Sequence, residues 1–244
     1  MIALLNNREI LSSYCCDVRT DVATGGFPLE RLTMAQRAAE RIREQIRNGG
    51  LAPGEAVPEA SMAATLGISR NTVREAFRLL SGEGLVAHNV HRGVVVRLLD
   101  EADVRDIYHV RRGLELGALR PPPSVTSEDL DGLRQAVAGA EAAVSAGDWP
   151  SVASSNLDFH QRLVALRRSP RMDQFFARLL AELRLGFAMV SDQEAFLLPY
   201  VDENRQLWSL LERGDWAGAA TRLEAYLARS ERTVLDAVRA GIEH

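Results

Sequence analysis

Between Gly67 and Val96 the chain gathers side chains suited to a polyanion or a base edge: Arg70, Asn71, Thr72, Arg74 and Arg78. A guanidinium donates from a planar fork that matches a phosphate or the exposed edge of guanine, and short amide and hydroxyl side chains bond either one. Arg70 and Arg74 stand one helical turn apart, so one can clamp phosphate while the other reaches a base. Further along, His91, Arg92 and Gly93 set an imidazole and a guanidinium beside a residue that permits close approach, a group fit for a minor groove or a sugar-phosphate backbone. The chemistry these types and spacings predict is recognition of double-stranded DNA.

Such side chains work only if held rigidly. Ser69 is a natural N-cap for a helix whose apolar face is Val73, Ala76, Phe77 and Leu80, with Asn71, Arg74 and Arg78 opposite. Gly82 and Gly84 close it. Leu85-Val86-Ala87 and Val94-Val95-Val96 read as paired strands around a turn at Asn89 to Gly93. Upstream, positions 35, 38, 39, 42 and 46 form one apolar stripe on a helix over Met34–Asn48, ended by Gly49-Gly50. A short helix over Glu59–Leu66, rich in alanine, follows the turn signal Pro53-Gly54. Helix, turn, helix and a two-stranded wing is a winged helix-turn-helix. An ordinary three-helix unit with a solvated arginine face would not need the wing.

The chain of 244 residues is 46% apolar and carries net charge −4, and all 29 of its basic residues are arginine. Charge is uneven. Residues 31–98 hold ten Arg against six Glu, and the region after them is acidic. That division suits a nucleic-acid module joined to one that avoids phosphates. Apolar runs fall short of a bilayer span, and residues 1–30 lack the basic start and cleavage site of a signal, so a cytoplasmic location with no membrane contact is expected. The adjacent Cys15 and Cys16 cannot readily staple a domain, which fits a reducing compartment.

After Glu101 only helical periodicity remains, over about 101–119, 127–146, 149–166, 171–190, 195–212 and 216–240. Pro121-Pro122-Pro123 and Ser169-Pro170 break it. Gly-Asp-Trp occurs at 147–149 and again at 214–216, each placing Gly to end one helix and Asp to cap the next. The expected fold is therefore mainly α, a winged helix-turn-helix followed by an all-α antiparallel bundle. Its parts are an N-terminal arm (1–30), the DNA-binding domain (31–98), a linker (99–104) and a helical effector-binding and dimerisation domain (105–240). Met172, Phe175, Phe176, Phe187 and Met189 are expected in its core.

The run from Leu51 to Val86, with the Arg92-Gly93 turn, resembles the N-terminal domain of GntR-superfamily transcription regulators. Its signature stands here as Leu66-Gly67, Ser69-Arg70-Asn71-Thr72-Val73-Arg74-Glu75-Ala76, Glu83-Gly84-Leu85-Val86 and Arg92-Gly93. Asn71-Thr72 replaces the commoner Thr-Pro, and Ala60 stands where some branches have a DNA-contacting arginine. The all-helical remainder is similar to the FadR branch, with its FCD-type effector domain. A subset of that branch holds a metal with Asp or Asn, a His four residues on, and two later histidines. The resemblance maps the first pair to Asn156 and His160, whereas Asn204 and Tyr226 stand at the later positions. One imidazole with amides and a phenol is a poor set for a transition metal, so neither metal nor cofactor is expected.

The same resemblance makes Arg111 the arginine lining an effector cavity, with Arg184 a second candidate. Arg111, Asn156, His160, Arg184, Asn204 and Tyr226 are then the expected pocket, suited to a small carboxylate. The reading as a whole is a homodimeric regulator on a pseudo-palindromic operator, controlled by that effector. A ligand-free dimeric DNA-binding protein is the alternative. An enzyme using Asp158 or His160 lacks a nucleophile, base and orienter set or a phosphate loop, and none is expected.

Overall fold

The computed structural model describes residues 32–47, 49–120 and 124–242. The N-terminal arm, both cysteines, Asn48, the triple proline and His244 lie outside the described residues.

Helix α1 (Met34–Arg47) opens with Thr33 and Gln36 exchanging bonds, the Gln36 amide donating to Thr33 Oγ1 and the Thr33 amide to Gln36 Oε1. Its stripe Ala38, Ala39, Ile42 and Ile46 packs on α3 (Arg70–Gly82), which buries Val73, Ala76, Phe77 and Leu80 in return. Between them in the chain, and packed on α3, comes α2 (Glu59–Leu66), ended by Gly67 at φ 66°. Ser69 caps α3 as expected, accepting from the Thr72 amide at 3.1 Å.

Strands β1 (Val86–Asn89) and β2 (Gly93–Val96) pair antiparallel with Val86 opposite Val96 and Asn89 opposite Gly93. The ribbon runs further than the sequence suggests. Asn89 Oδ1 accepts from the amides of both His91 and Arg92, so its own side chain closes the turn and the strand reaches Asn89. Ala56 adds a bridge to Val95 on the other edge of β2.

The connection to the bundle is shorter than the expected linker. Asp100 already caps α4 (Glu101–Arg111) in a reciprocal box with Asp103, so residues 101–104 form its first turn, and Leu99 is buried. The expected single helix over 101–119 is also interrupted. After Arg111 it widens into a π-helical turn, Arg112–Leu116, before the short α5 (Gly117–Leu119).

The rest of the bundle follows the sequence punctuation: α6 (Ser127–Ala146), α7 (Trp149–Ala165), α8 (Pro170–Ala188), α9 (Gln193–Glu212) and α10 (Trp216–Ile242). Gly147 and Gly214 both take positive φ, and Asp148 and Asp215 accept from the Ser151 and Gly218 amides. Phe176 and Phe187 are core, with Met172 and Met189 packed at its margin, but Phe175 is a correction to the expected core: it stands 52% exposed because it lies on the outer face of α8. One apolar core runs from α1 through Leu85 and Leu99 into the bundle.

Candidate functional site

The recognition face is built on α3 and the wing. Arg70 and Asn71, in the first turn of α3, and His91 and Arg92, at the ribbon tip, are all exposed, and Gly93 takes φ 70° to turn the tip. Val90 stands 90% exposed among them, an apolar side chain that a search for charged groups passes over. Two of the expected arginines are exposed but already paired. Arg74 donates through Nε and Nη2 to the two oxygens of Glu59, at 3.1 and 2.9 Å, a fork-to-fork pair that holds the Glu59 carboxyl below its usual range. Arg78 pairs with Glu75 one turn before it. Thr72 belongs partly to the cap, its hydroxyl 2.8 Å from that of Ser69.

The second site lies inside the bundle. Arg111, at the end of α4, is 1% exposed, and its Nε donates to Glu115 Oε1 at 2.7 Å. Glu115 Oε2 lies 2.6 Å from His160 Nδ1 on α7. Glu115 lies within the π-turn, and the Arg111 guanidinium carbon stands 5.0 Å from the Tyr108 ring centre. Beside them the Tyr226 hydroxyl of α10 lies 2.9 Å from Asn156 Nδ2 and 3.2 Å from its Oδ1. The Tyr226 ring meets His160 edge-on at 4.9 Å and Tyr200 at 4.8 Å. Asn204, one turn beyond Tyr200 on α9, is buried.

Burial opposes charge on each of these groups, and the pairing decides which of them ionise. Burial alone would lower the Arg111 pKa and raise that of Glu115, but each group's charge favours the other, so Arg111 ends above and Glu115 below its ordinary value. Burial does win at His160: despite Glu115 its pKa is lowered, with Arg111 adding to the effect, so the ring is neutral. Burial likewise pushes the Tyr226 hydroxyl well above its usual range.

Of the six residues expected in this pocket, the structure joins Arg111 to His160 through Glu115 and joins Asn156 to Tyr226, with Asn204 buried on the neighbouring α9. Arg184 is placed elsewhere. It donates to the Pro150 carbonyl and lines a cleft of about 210 Å³ between α1, α7 and α8, with Arg43, Ile46 and Leu85 on the other wall. Sequence reasoning missed Glu115, although an acid four residues after Arg111 is the signal of a helical ion pair.

The donor set does not suit a divalent metal. His160 Nε2 is the single imidazole lone pair there, the Glu115 carboxylate already answers a guanidinium, and among the described residues no three His, Cys, Asp or Glu side chains converge. Asp158 pairs with Arg162 at 2.7 Å near the surface, since positions two apart on a helix face different ways and His160 points inward.

A basic helix beside an exposed two-stranded ribbon, in one core with a helical bundle that buries a polar cluster, defines a DNA-binding regulator built from a reading head and a helical domain. Residues 34–96 match the model of the bacterial regulatory proteins of the gntR family, and residues 106–229 match the FCD domain. The chain belongs to the GntR family of transcription regulators, in its FCD-domain branch. It is 29% identical over 187 residues, 77% of this chain and 82% of the relative, to a protein named a probable D-xylose utilization operon transcriptional repressor in Paenarthrobacter nicotinovorans. The crystal structure of a GntR protein from Rhodococcus sp. RHA1 superposes with TM-score 0.79 at 32% identity, covering 83% of this chain and 97% of that one. E. coli McbR/YncC shares the fold, with TM-score 0.72 at 19% identity over 84% and 98% of the two chains.

Proposed function

We propose that this protein binds a pseudo-palindromic operator as a homodimer in the cytoplasm and that a small molecule held at the centre of its helical bundle changes its grip on DNA. The observation that carries the reading is the pairing of an exposed Arg70–Asn71 and His91–Arg92 surface with a wholly buried cluster of ionised and aromatic groups in the same core. No described helix is long and apolar enough to cross a membrane.

Arg74 tests the DNA half. Fluorescence anisotropy with operator and random duplexes should show Arg74→Ala losing about 1–3 kcal/mol on the operator and much less on random DNA. Equal losses on both would reduce Arg74 to a phosphate clamp. Wild-type affinity should also fall steeply with added salt, because phosphate neutralisation supplies much of it.

The expectation of a carboxylate effector meets an obstacle in Glu115, which occupies Arg111 as a ligand carboxylate would. That internal pairing also favours the second reading, a ligand-free dimerisation bundle. The readings separate in a thermal-shift survey of small metabolites, where a ligand-free bundle shows no stabilisation by any of them.

A further inference from the structure

The bundle centre contains an incomplete hydrogen-bond inventory, and its composition is informative. Arg111 Nη2 and His160 Nε2, linked through Glu115, have no hydrogen-bond partner, and neither has Asn204 Oδ1, one turn beyond Tyr200, whose ring meets Tyr226 beside His160. Buried polar atoms are nearly always bonded, so neighbouring orphans describe what is missing. Nη2 is a donor and the amide oxygen of Asn204 an acceptor. The role of His160 Nε2 follows from the other side of its ring. Nδ1 lies 2.6 Å from Glu115 Oε2, and an ionised carboxylate only accepts, so the single proton of the neutral ring sits on Nδ1. Nε2 therefore presents a lone pair. The set is one donor and two acceptors.

Charge points the same way. Glu115 answers Arg111, and burial keeps His160 neutral, so the cluster as built is balanced. A carboxylate entering it would bring an uncompensated negative charge beside Glu115 at full burial, and could satisfy neither acceptor. An ammonium could satisfy the acceptors but not Nη2. A hydroxyl both donates and accepts, and carries no charge. The rings of Tyr108, Tyr200 and Tyr226 surround the cluster with apolar faces.

Resting on the reading of the bundle as an effector domain, we propose that its centre takes a small neutral polyhydroxyl compound, a polyol or a sugar. One hydroxyl oxygen accepts from Arg111 Nη2, and hydroxyl hydrogens go to His160 Nε2 and Asn204 Oδ1.

The test is calorimetric titration of the full chain with erythritol, xylitol, D-ribose and D-glucose, each against the acid of the same carbon number. At least one neutral probe should bind more tightly than its acid. Asn204→Leu, which removes one acceptor at similar volume, should weaken that binding about tenfold or more. Glu115→Gln should reverse the preference, because Arg111 then faces the ligand with its charge unanswered. Circular dichroism establishes that each variant is folded, and should Glu115→Gln unfold, Asn204→Leu alone decides. Tighter binding of the acid to the wild type overturns the proposal, as does neutral binding indifferent to Asn204→Leu. So does binding by no probe, which would leave buried water as the occupant. Operator affinity is measured on the same sample. A polyol that binds through Asn204 without changing that affinity supports the ligand class and overturns the effector reading. A protein that fails to bind operator but keeps the sugar titration does likewise for the regulator reading.

Discussion

Many charged side chains among the described residues are already paired, and which ones are paired sets the protein's behaviour. Arg74 is held by Glu59 before any DNA arrives, so its guanidinium has a fixed plane, and a base edge must compete with a carboxylate for it. Glu59→Gln should therefore raise affinity for random DNA severalfold while narrowing the margin between operator and random sequence, which paired anisotropy titrations would show; an unchanged margin would leave Glu59 a surface ion pair. The buried cluster should be felt in the pH dependence of stability. His160 has a folded-state pKa below its ordinary value, mainly through burial, so the unfolded chain takes up that proton more readily. Its contribution is then complete above about pH 6.5 and is lost as the pH falls below it. Glu115, held low chiefly by Arg111 against the opposing effect of burial, adds a second loss further into acid. Thermal unfolding followed from neutral to mildly acid pH should show a falling Tm, and His160→Gln should flatten the first part of that fall. A Tm that holds level in the wild type would contradict the neutral buried imidazole.

At the scale of elements, what was legible in the sequence was local. Ser69, Asp148 and Asp215 announced helix starts because a cap is decided by residues within one turn. The strands and their turn were legible as well, though β1 starts at Val86 rather than Leu85 and both strands run further into the turn, where the Asn89 side chain accepts from two amides. The π-turn was not. Nothing in Arg112–Leu116 forbids an ordinary helix, and the wider turn belongs with the placement of Arg111 and Glu115 at His160, a contact across 45 positions of sequence. Likewise Arg184 has the composition of a pocket residue, and only the packing of α8 against α1 reveals that it faces the DNA-binding module. Glu115→Ala should expose how much rests on the π-turn. It leaves Arg111 buried and unanswered, a loss of about 3–5 kcal/mol that denaturant titration would read directly. A loss below about 1 kcal/mol would mean that water reaches Arg111 and the cluster is not closed.

At the scale of the whole molecule, the two modules are pressed together. Arg97, just past the wing, bridges to Asp103 at the start of α4 and to Glu182 on α8. Gly84, at φ 73°, lies so close to Glu182 that a Cβ there would come within 2.6 Å of the carboxyl carbon. Gly93 has a similar φ but open space around it. Gly93→Ala should therefore cost only its backbone strain, about 1 kcal/mol, whereas Gly84→Ala must also push the Glu182 carboxylate off Arg97 and should cost more by the loss of that half-buried bridge. Equal midpoints of denaturation for the two variants would show that the interface yields freely.

Only four residues, Arg97 to Asp100, separate the last strand from α4, and one of them is sunk in the core. A tether of that kind has no slack. In a two-fold assembly the gap between the reading heads would be a dimension of the bundles themselves, like the fixed jaw of a caliper. A ligand that shifted α4 by even a small angle would re-gauge the operator, and lengthening those four residues with glycine and serine would leave a protein that still holds DNA but no longer measures it.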